Sequence, residues 1–387
     1  MSASAPITTR WATPAEMQAR AEDWRALAAE AIEPNVFAEP DYVLPALRHL
    51  GANGLRFLLA ERDGVLAGLL PLHFSRARWG VPLACAIHHL PYAPHGTPLI
   101  ADDDAPAICG ALLDALALAR PRPVALLMPF VPTEGRFTEA WQAALAARRR
   151  PAVIFDPVDR PALHLPEGAA RLEAFEHSLS RNRRKRLAQQ RRRLEQHGGA
   201  LQACVATGPE DISAALQGFL DIEATGWKGR RGTAVEQDSR IAAFFRESVA
   251  ALAISGQARI VRLEQSAGPV AAAILLASGS RVWFYKTAFD GRLAAFSPGA
   301  LLDMEVTRVI LDDPSITLAD SLTTVPDSDF GNVWRDRLPM ADLLVGLAPA
   351  SSTGFTLATG MEHAGRHGRA LAKAGVQWLR ERRGLRN

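Results

Sequence analysis

Cysteine is scarce in this chain, three residues in 387. Cys85, Cys109 and Cys204 show neither even pairing nor metal-ligand spacing. This excludes a disulfide scaffold and a zinc module and fits a reduced cytoplasmic compartment. A dominant charge is missing too: the formal net charge is +3, too small to demand a polyanionic partner. Long apolar runs are absent. The longest, Ala105 to Ala119, is broken by Asp114 and is too short to span a bilayer. Glu16, Glu22 and Asp23 interrupt the N-terminal pattern where a signal peptide would need an apolar centre, so neither export nor a membrane span is expected. No Gly-x-Ser-x-Gly elbow occurs. Asp327-Ser328-Asp329-Phe330-Gly331 holds a kinase-like triplet without its companion motifs, and its aspartates are expected to start a helix carrying Trp334 and Arg335. His88, His89 and His95 lie near Pro91-Tyr92-Ala93-Pro94 with no cysteine or carboxylate at ligand spacing, so no metal is expected.

What is present is a mixed-charge, 48% apolar chain long enough for two cores. The same order of elements occurs twice. In the first half, helices near Pro14–Ala31 and Asp41–Leu50 precede a hairpin, Leu55–Glu61 and Val65–Phe74, turning at Arg62-Asp63-Gly64. A strand near Ala84–His89, a helix over Asp104–Ala119, a strand at Val124–Met128, a helix at Glu134–Arg148 and a strand at Ala152–Phe155 follow. The second half begins with a strand at Leu201–Thr207 and helices over Glu210–Gly226 and Asp238–Ile254. A hairpin, Arg259–Leu263 and Pro269–Ala277, the aromatic strand Val282–Asp290, a helix from Pro298-Gly299, and strands at Ile316–Asp320 and Ala341–Leu347 complete it. The duplication is one of pattern rather than of residues.

Three patches carry chemistry. The strand Val282–Asp290 feeds a helix whose first turn starts at Pro298-Gly299, and free N–H groups at such a corner can hold a phosphate. A Pro-rich passage, Pro151–Pro166, leads to a basic helix, Ser180–Glu195, that stops at Gly198-Gly199. No aromatic residues interleave that run, so it reads as a solvated connector, with Arg184 and its neighbours available to an acidic small molecule. Glu223–Thr233 places Gly226, Gly229 and Gly232 around Trp227 and Lys228, a binding-loop composition that lacks P-loop or dinucleotide spacing.

The order of Trp227-Lys228-Gly229, Tyr285-Lys286 and Phe296-Ser297-Pro298-Gly299 behind the arginine-rich helix resembles the CelD/BcsL-type acyltransferases of the GNAT superfamily. In architecture these are similar to the FemAB-type transferases. The resemblance covers about Leu165 to Val345. It implies an α/β fold of two GNAT-like domains, each a mixed, mostly antiparallel sheet flanked by helices, joined by the basic helix. The expected division is 1–160, a linker and arginine helix over 161–200, an acyltransferase domain over 201–349 and a basic tail over 350–387. It implies transfer of an acyl group, usually acetyl from acetyl-CoA or another acyl-CoA, to an amine or hydroxyl of a small molecule or cell-surface polysaccharide precursor.

The family's pyrophosphate loop falls on Ala295–Ala300, where Ala295 replaces a basic or amide residue and Pro298 a glycine. Thr287, Ala288, Ser297, Gly299, Ala300 and Leu301 are the expected donor-binding residues. Amides near Lys286 to Ala288 would polarise the thioester carbonyl. Asp320 or Glu223 would be the base, with Asp320 equally readable as a helix or turn cap. Tyr285 or Lys286 would protonate the thiolate or orient the acceptor, and strand alternation points these two to opposite faces. Trp227, Lys228, Arg184 and His95 are the expected acceptor contacts. Two alternatives stay open, an aminoacyl-tRNA-dependent transferase and a non-catalytic scaffold of a polysaccharide-synthesis machine. The polar, basic tail, with Leu371, Val376, Trp378 and Leu379 along it, reads as a helix packed on its own domain or resting on anionic lipid or a synthase at the inner face of the membrane.

Overall fold

The computed structural model describes residues 5–51, 54–165, 171–226, 232, 234–324, 331, 333–348 and 352–384, with side chains of the last helix to 375. The first half runs β1 (Ile7–Ala12), α1 (Pro14–Ala19), α2 (Ala21–Ala29), α3 (Pro40–Leu50), β2 (Arg56–Arg62), β3 (Val65–Ser75), β4 (Cys85–Ile87), β5 (Leu99–Ile100), α4 (Ala105–Ala117), β6 (Ala125–Pro132), α5 (Arg136–Ala147) and β7 (Ala152–His164). α6 (Arg171–Ser178) and α7 (Arg181–Gly198) follow. The second half runs β8 (Gln202–Ala206), α8 (Pro209–Thr225), α9 (Ser239–Ile254), β9 (Ala258–Gln265), β10 (Gly268–Ser278), β11 (Arg281–Phe289), α10 (Pro298–Leu311), β12 (Leu318–Asp320), β13 (Asp336–Gly346) and α11 (Thr353–Gly384).

Local chemistry sets many of these boundaries. Thr13 and Glu16 close a capping box on α1. The β2–β3 hairpin turns on Asp63 and Gly64, both with positive φ, as a two-residue turn matched to strand twist requires. The basic helix read over Ser180–Glu195 is α7, which Ser180 caps by accepting from the Arg183 amide at 3.2 Å, and α6 is a separate short helix ahead of it.

The strands form one sheet in the order β1-β2-β3-β4-β6-β13-β7-β12-β11-β10-β9-β8, with β5 on the flank of β3. β4 with β6 and β11 with β12 run parallel, and the other described pairings are antiparallel. The order is a palindrome of the repeated pattern with one exchange: β13 sits against β6 of the first half, and β7 against β12 of the second. The Pro-rich passage is therefore mostly strand, where the sequence suggested a linker. Pro157 and Pro161 are tolerated because β12 pairs with β7 only from Ala162 to His164, and the ladder to β13 is already irregular near Phe155–Val158.

Helices cover both faces. One apolar layer is common to the two halves, built from Trp24, Tyr42 and Phe57 of the first and Phe219, Phe244, Phe245 and Trp283 of the second. Each such side chain removed from water contributes about 2–3 kcal/mol. Phe37 meets Tyr42 and Trp283 edge-on at 5.1 and 5.5 Å, so aromatic contacts cross the join. No helix of the described residues is long and apolar enough to cross a membrane.

α11 is fastened by Glu362, which accepts from Arg78 at 3.0 and 3.1 Å, Trp79 Nε1 at 2.8 Å and Arg366 at 2.9 Å. Burial alone would raise its pKa, but these partners outweigh it and hold the carboxyl at about 2. A carboxyl depressed in the fold stabilises fully above its unfolded pKa near 4.5 and loses that contribution as pH falls toward 2. Glu362→Gln therefore costs about 2–3 kcal/mol at pH 7. Denaturant melts across the acid range should show wild type and variant converging as pH drops below 4.5. A pH-independent gap would contradict this.

Candidate active site

The β-branched and aromatic run Val282–Phe289 forms β11. Its ladder with β10 slips once: Ile274 faces Lys286 and Leu275 faces Phe284, leaving Tyr285 as the extra residue of a bulge. The bulge overturns the expected alternation. Tyr285 stacks on Phe245 at 5.6 Å, and the Lys286 Nζ stands 4.8 Å from the centre of the same ring, so both side chains serve one face.

Parallel pairing of β11 with β12 covers Arg281–Trp283 against Leu318–Asp320. Beyond it a cleft of about 570 Å³ opens between Phe284–Thr287 and Ser321–Thr323. Its opposite wall is the first half: His89, Tyr92, Ala93 and Pro94 follow β4, and Phe130 lies on β6. β6 and β12 run in opposite directions, and their ends lie level with Val158 and Ala162 of β7, so the carboxyl ends of both parallel pairs converge on the same cleft. Carboxyl ends of parallel strands, where neighbouring loops part, are the usual place for a ligand in such sheets.

Three bulky residues of the cleft have left-handed backbone: Tyr92 (φ 59°) and Phe130 (φ 56°) on the first-half wall and Leu322 (φ 55°) on the facing one. Each such residue costs on the order of 1 kcal/mol or more and persists only where its surroundings hold it. The Phe130 amide donates to Asp342 at 3.0 Å, the Leu322 amide donates to Asp320 at 2.8 Å, and the Tyr92 carbonyl accepts from the Tyr42 hydroxyl at 2.6 Å. Backbone strain of this kind clusters at ligand-binding and catalytic walls in folded proteins.

Among the described residues no carboxylate lines the cleft. Asp320 is wholly buried: one oxygen takes the Leu322 amide and the other the Arg160 guanidinium at 3.3 Å. Arg160 also donates to the Pro94 carbonyl at 2.8 Å and lies 5.6 Å from the centre of the Phe130 ring, so Asp320 and Arg160 tie the two walls together from behind. Glu223, 2% exposed on α8, accepts from the Val235 amide at 2.8 Å. His95 is buried too, its Nε2 within 3.0 Å of the Thr97 hydroxyl and 3.3 Å of Arg281. Burial, reinforced by Arg281 and Arg160, drives its pKa well below the usual value, so it is neutral.

Tyr285, Lys286 and Thr287 line the cleft, and Ala288 is buried beyond them. Ser297, in left-handed conformation, precedes Pro298 at the start of α10, and Gly299 faces the Phe289 ring. The Ala300 amide already donates to Ser297 at 3.1 Å. Leu301 lines a second cavity of about 330 Å³ between α7 and α10, as does Arg184. Trp227 and Lys228 lie outside the described residues, as do Asp327 and Asp329.

The residues that sequence reasoning missed are His89, Tyr92, Phe130, Ser321 and Thr323. The histidine pair was visible only as an unfilled metal motif. Partial burial lowers the His89 pKa below 6.5, against the opposing pull of the Asp342 carboxylate, so its imidazole is mainly neutral at pH 7 and able to accept a proton. Tyr285 donates into a pair with Tyr42, hydroxyls 2.8 Å apart. Burial raises both phenols, which stay protonated.

Residues 181–327 match the family model described as acetyltransferase (GNAT) domain. No curated protein sequence matches significantly. Among solved structures, FemX is similar with a TM-score of 0.54 at 13% identity, over 87% of this chain and 96% of that one. The C-terminal domain (DUF2156) of a putative lysylphosphatidylglycerol synthetase from Agrobacterium fabrum gives 0.53 at 12%, over 91% and 97%. A conserved protein of unknown function from Bacteroides thetaiotaomicron gives 0.53 at 10%, over 89% and 100%. Such identities show a shared fold, and over residues 181–327 the chain is similar in sequence to the acetyltransferase (GNAT) domain.

Proposed function

We propose that the chain transfers an acyl group, acetyl in the first instance, from an acyl-CoA to an amine or hydroxyl of an acceptor held across the cleft between the halves. The observation that carries this reading is the bulge of β11 facing a wall of the first half at the convergent strand ends. The bulge leaves Tyr285 as the extra residue of β11 beside Lys286, and its amide can face a carbonyl oxygen that gains charge. His89, neutral and open to the cleft, takes the proton of the attacking amine or hydroxyl. Lys286 supplies a proton to the departing sulfur, and the Tyr285 hydroxyl, its own proton given to Tyr42, orients the acceptor by accepting from its N–H or O–H. Asp320 acts as a positioning residue behind Leu322 rather than as the base.

The residues at the donor corner fit an anionic group. Ala295 leaves the loop without a cation, but α7 brings Arg193 to 5.6 Å from the centre of the Phe296 ring and His197 to 4.9 Å, next to the start of α10. With the positive end of α10, these would hold the phosphates of CoA, whose thioester supplies the activated acyl group. The CelD/BcsL resemblance supports a small-molecule or surface-polysaccharide acceptor and a cytoplasmic site of action, with the basic tail at the inner membrane face or on a synthase.

A second reading, an aminoacyl-tRNA donor, draws on the exposed Arg181, Arg184, Lys185, Arg186, Arg192 and Arg193 of α7. Calorimetric titration with acetyl-CoA, longer acyl-CoAs and free CoA separates the two. The expected result is micromolar binding that weakens about tenfold or more in Gly299→Trp. No heat with any CoA would discard the CoA reading in favour of a polyanionic donor.

A further inference from the structure

The last helix reaches the cleft through one side chain. Arg366, 10% exposed, bonds Asp342 of β13 at 2.8 Å, and the other Asp342 oxygen accepts the Phe130 amide at 3.0 Å. Phe130 is one of the left-handed residues of the cleft wall, and its ring lies 6.3 Å from that of His89. Arg366 is also the last side chain of α11 held from several sides, by Glu362, Asp342 and Asp156, before the exposed residues 367–375. The helix continues to Gly384, about 27 Å beyond Arg366 at the usual helical rise.

We propose that Arg366 is a positioning residue of the cleft: through Asp342 it fixes Phe130 and the wall against which His89 rests, so that α11 belongs to the site although it lines none of it. The logic is geometric. A left-handed phenylalanine needs an external hold, and the carboxylate that supplies it is aimed by a guanidinium from another element. Without Arg366, Asp342 loses a charge-assisted partner and gains freedom to turn from the Phe130 amide. The inference rests on the cleft being the transfer site only for its kinetic consequence.

Histidine NMR on the full chain tests it. Among the described residues the ionisable groups coupled to His89 are His73, His88 and Asp342, and Lys286, Tyr92 and Tyr285 share the cleft with it. Asp342 favours imidazolium, and Arg366 offsets that charge. The His89 pKa should rise by about 0.5 in Arg366→Gln and fall by a similar amount in Asp342→Asn. Arg366→Lys should restore the wild-type titration, and Arg369→Gln, 63% exposed at that side chain, should leave it unchanged. Exchange of the Phe130 amide should quicken about tenfold in Arg366→Gln. An unaltered His89 titration together with unaltered Phe130 exchange overturns the proposal, and Asp342→Asn alone decides it if Arg366→Gln does not fold. If the titration moves while the acceptor KM and kcat do not, the link stands and the location of the transfer site falls.

Discussion

Replacing His89 with glutamine should lower turnover about 10²–10⁴-fold, the usual worth of a positioned general base. Calorimetric affinity for CoA should be kept, because the residues assigned to the donor lie on β11, α10 and α7. Glutamine keeps the size and polarity of the side chain but cannot take the proton. The pH profile gives a second handle. Partial burial lowers the His89 pKa below 6.5, so the wild-type rate should climb with pH in the acid range and level off before neutrality. In His89→Gln that acid limb should vanish. A variant with full turnover, or one whose acid limb is intact, would remove His89 from the reaction and leave the cleft without a base among its described lining residues, which include no Asp or Glu.

The largest structural effect is expected at Gly96. A β-carbon there would stand 1.9 Å from the Pro129 carbonyl oxygen, and the Gly96 amide donates to the Phe130 carbonyl at 2.9 Å. The obstacle is backbone, so no rotamer change relieves it, and the segment that must move is the one carrying Phe130. Gly96→Ala should cost about 4 kcal/mol or more, a fall in Tm of about 5 °C for a chain of this length. Gly360→Ala is the matching control, because its β-carbon would meet nothing within 4 Å. That helical substitution should be neutral or stabilise by up to about 1 kcal/mol. Equal melting of the two variants would mean that the loop ahead of β5 and the end of β6 are not packed as described.

Much of the fold was legible in the chain. The hairpin at Asp63-Gly64 followed from turn chemistry, the second from alternation on either side of a short polar break, and the repeat from the order of elements. β7 was legible only at its start, since prolines ordinarily end a strand and only its one-sided pairing ahead of Ala162 lets them stay. The basic helix was legible at both ends, in the cap residue Ser180 and in the stop at Gly198-Gly199. At the site, the strand Val282–Phe289 and the corner at Gly299 were readable as local sequence. The bulge at Tyr285 was not, because no residue type demands it there. The facing wall was not either: nothing along the chain says that His89 and Phe130 stand across from Lys286. Asp320 shows the converse. A carboxylate at a strand end reads equally as base or cap, and only its burial beside Arg160 separates the two.

The exchange of β7 and β13 also fixes when this protein can finish folding. β6 spans Ala125–Pro132, yet its outer partner is Asp336–Gly346, made some two hundred residues later. Until that segment leaves the ribosome, β6 presents an unpaired edge, the kind of surface that recruits other chains. Pairings this distant in sequence are slow to form, since loop closure precedes any gain from contact. The nascent first half is thus a species awaiting its last strand. Chains cut short before β13 should gather as aggregates rather than as an isolated folded half.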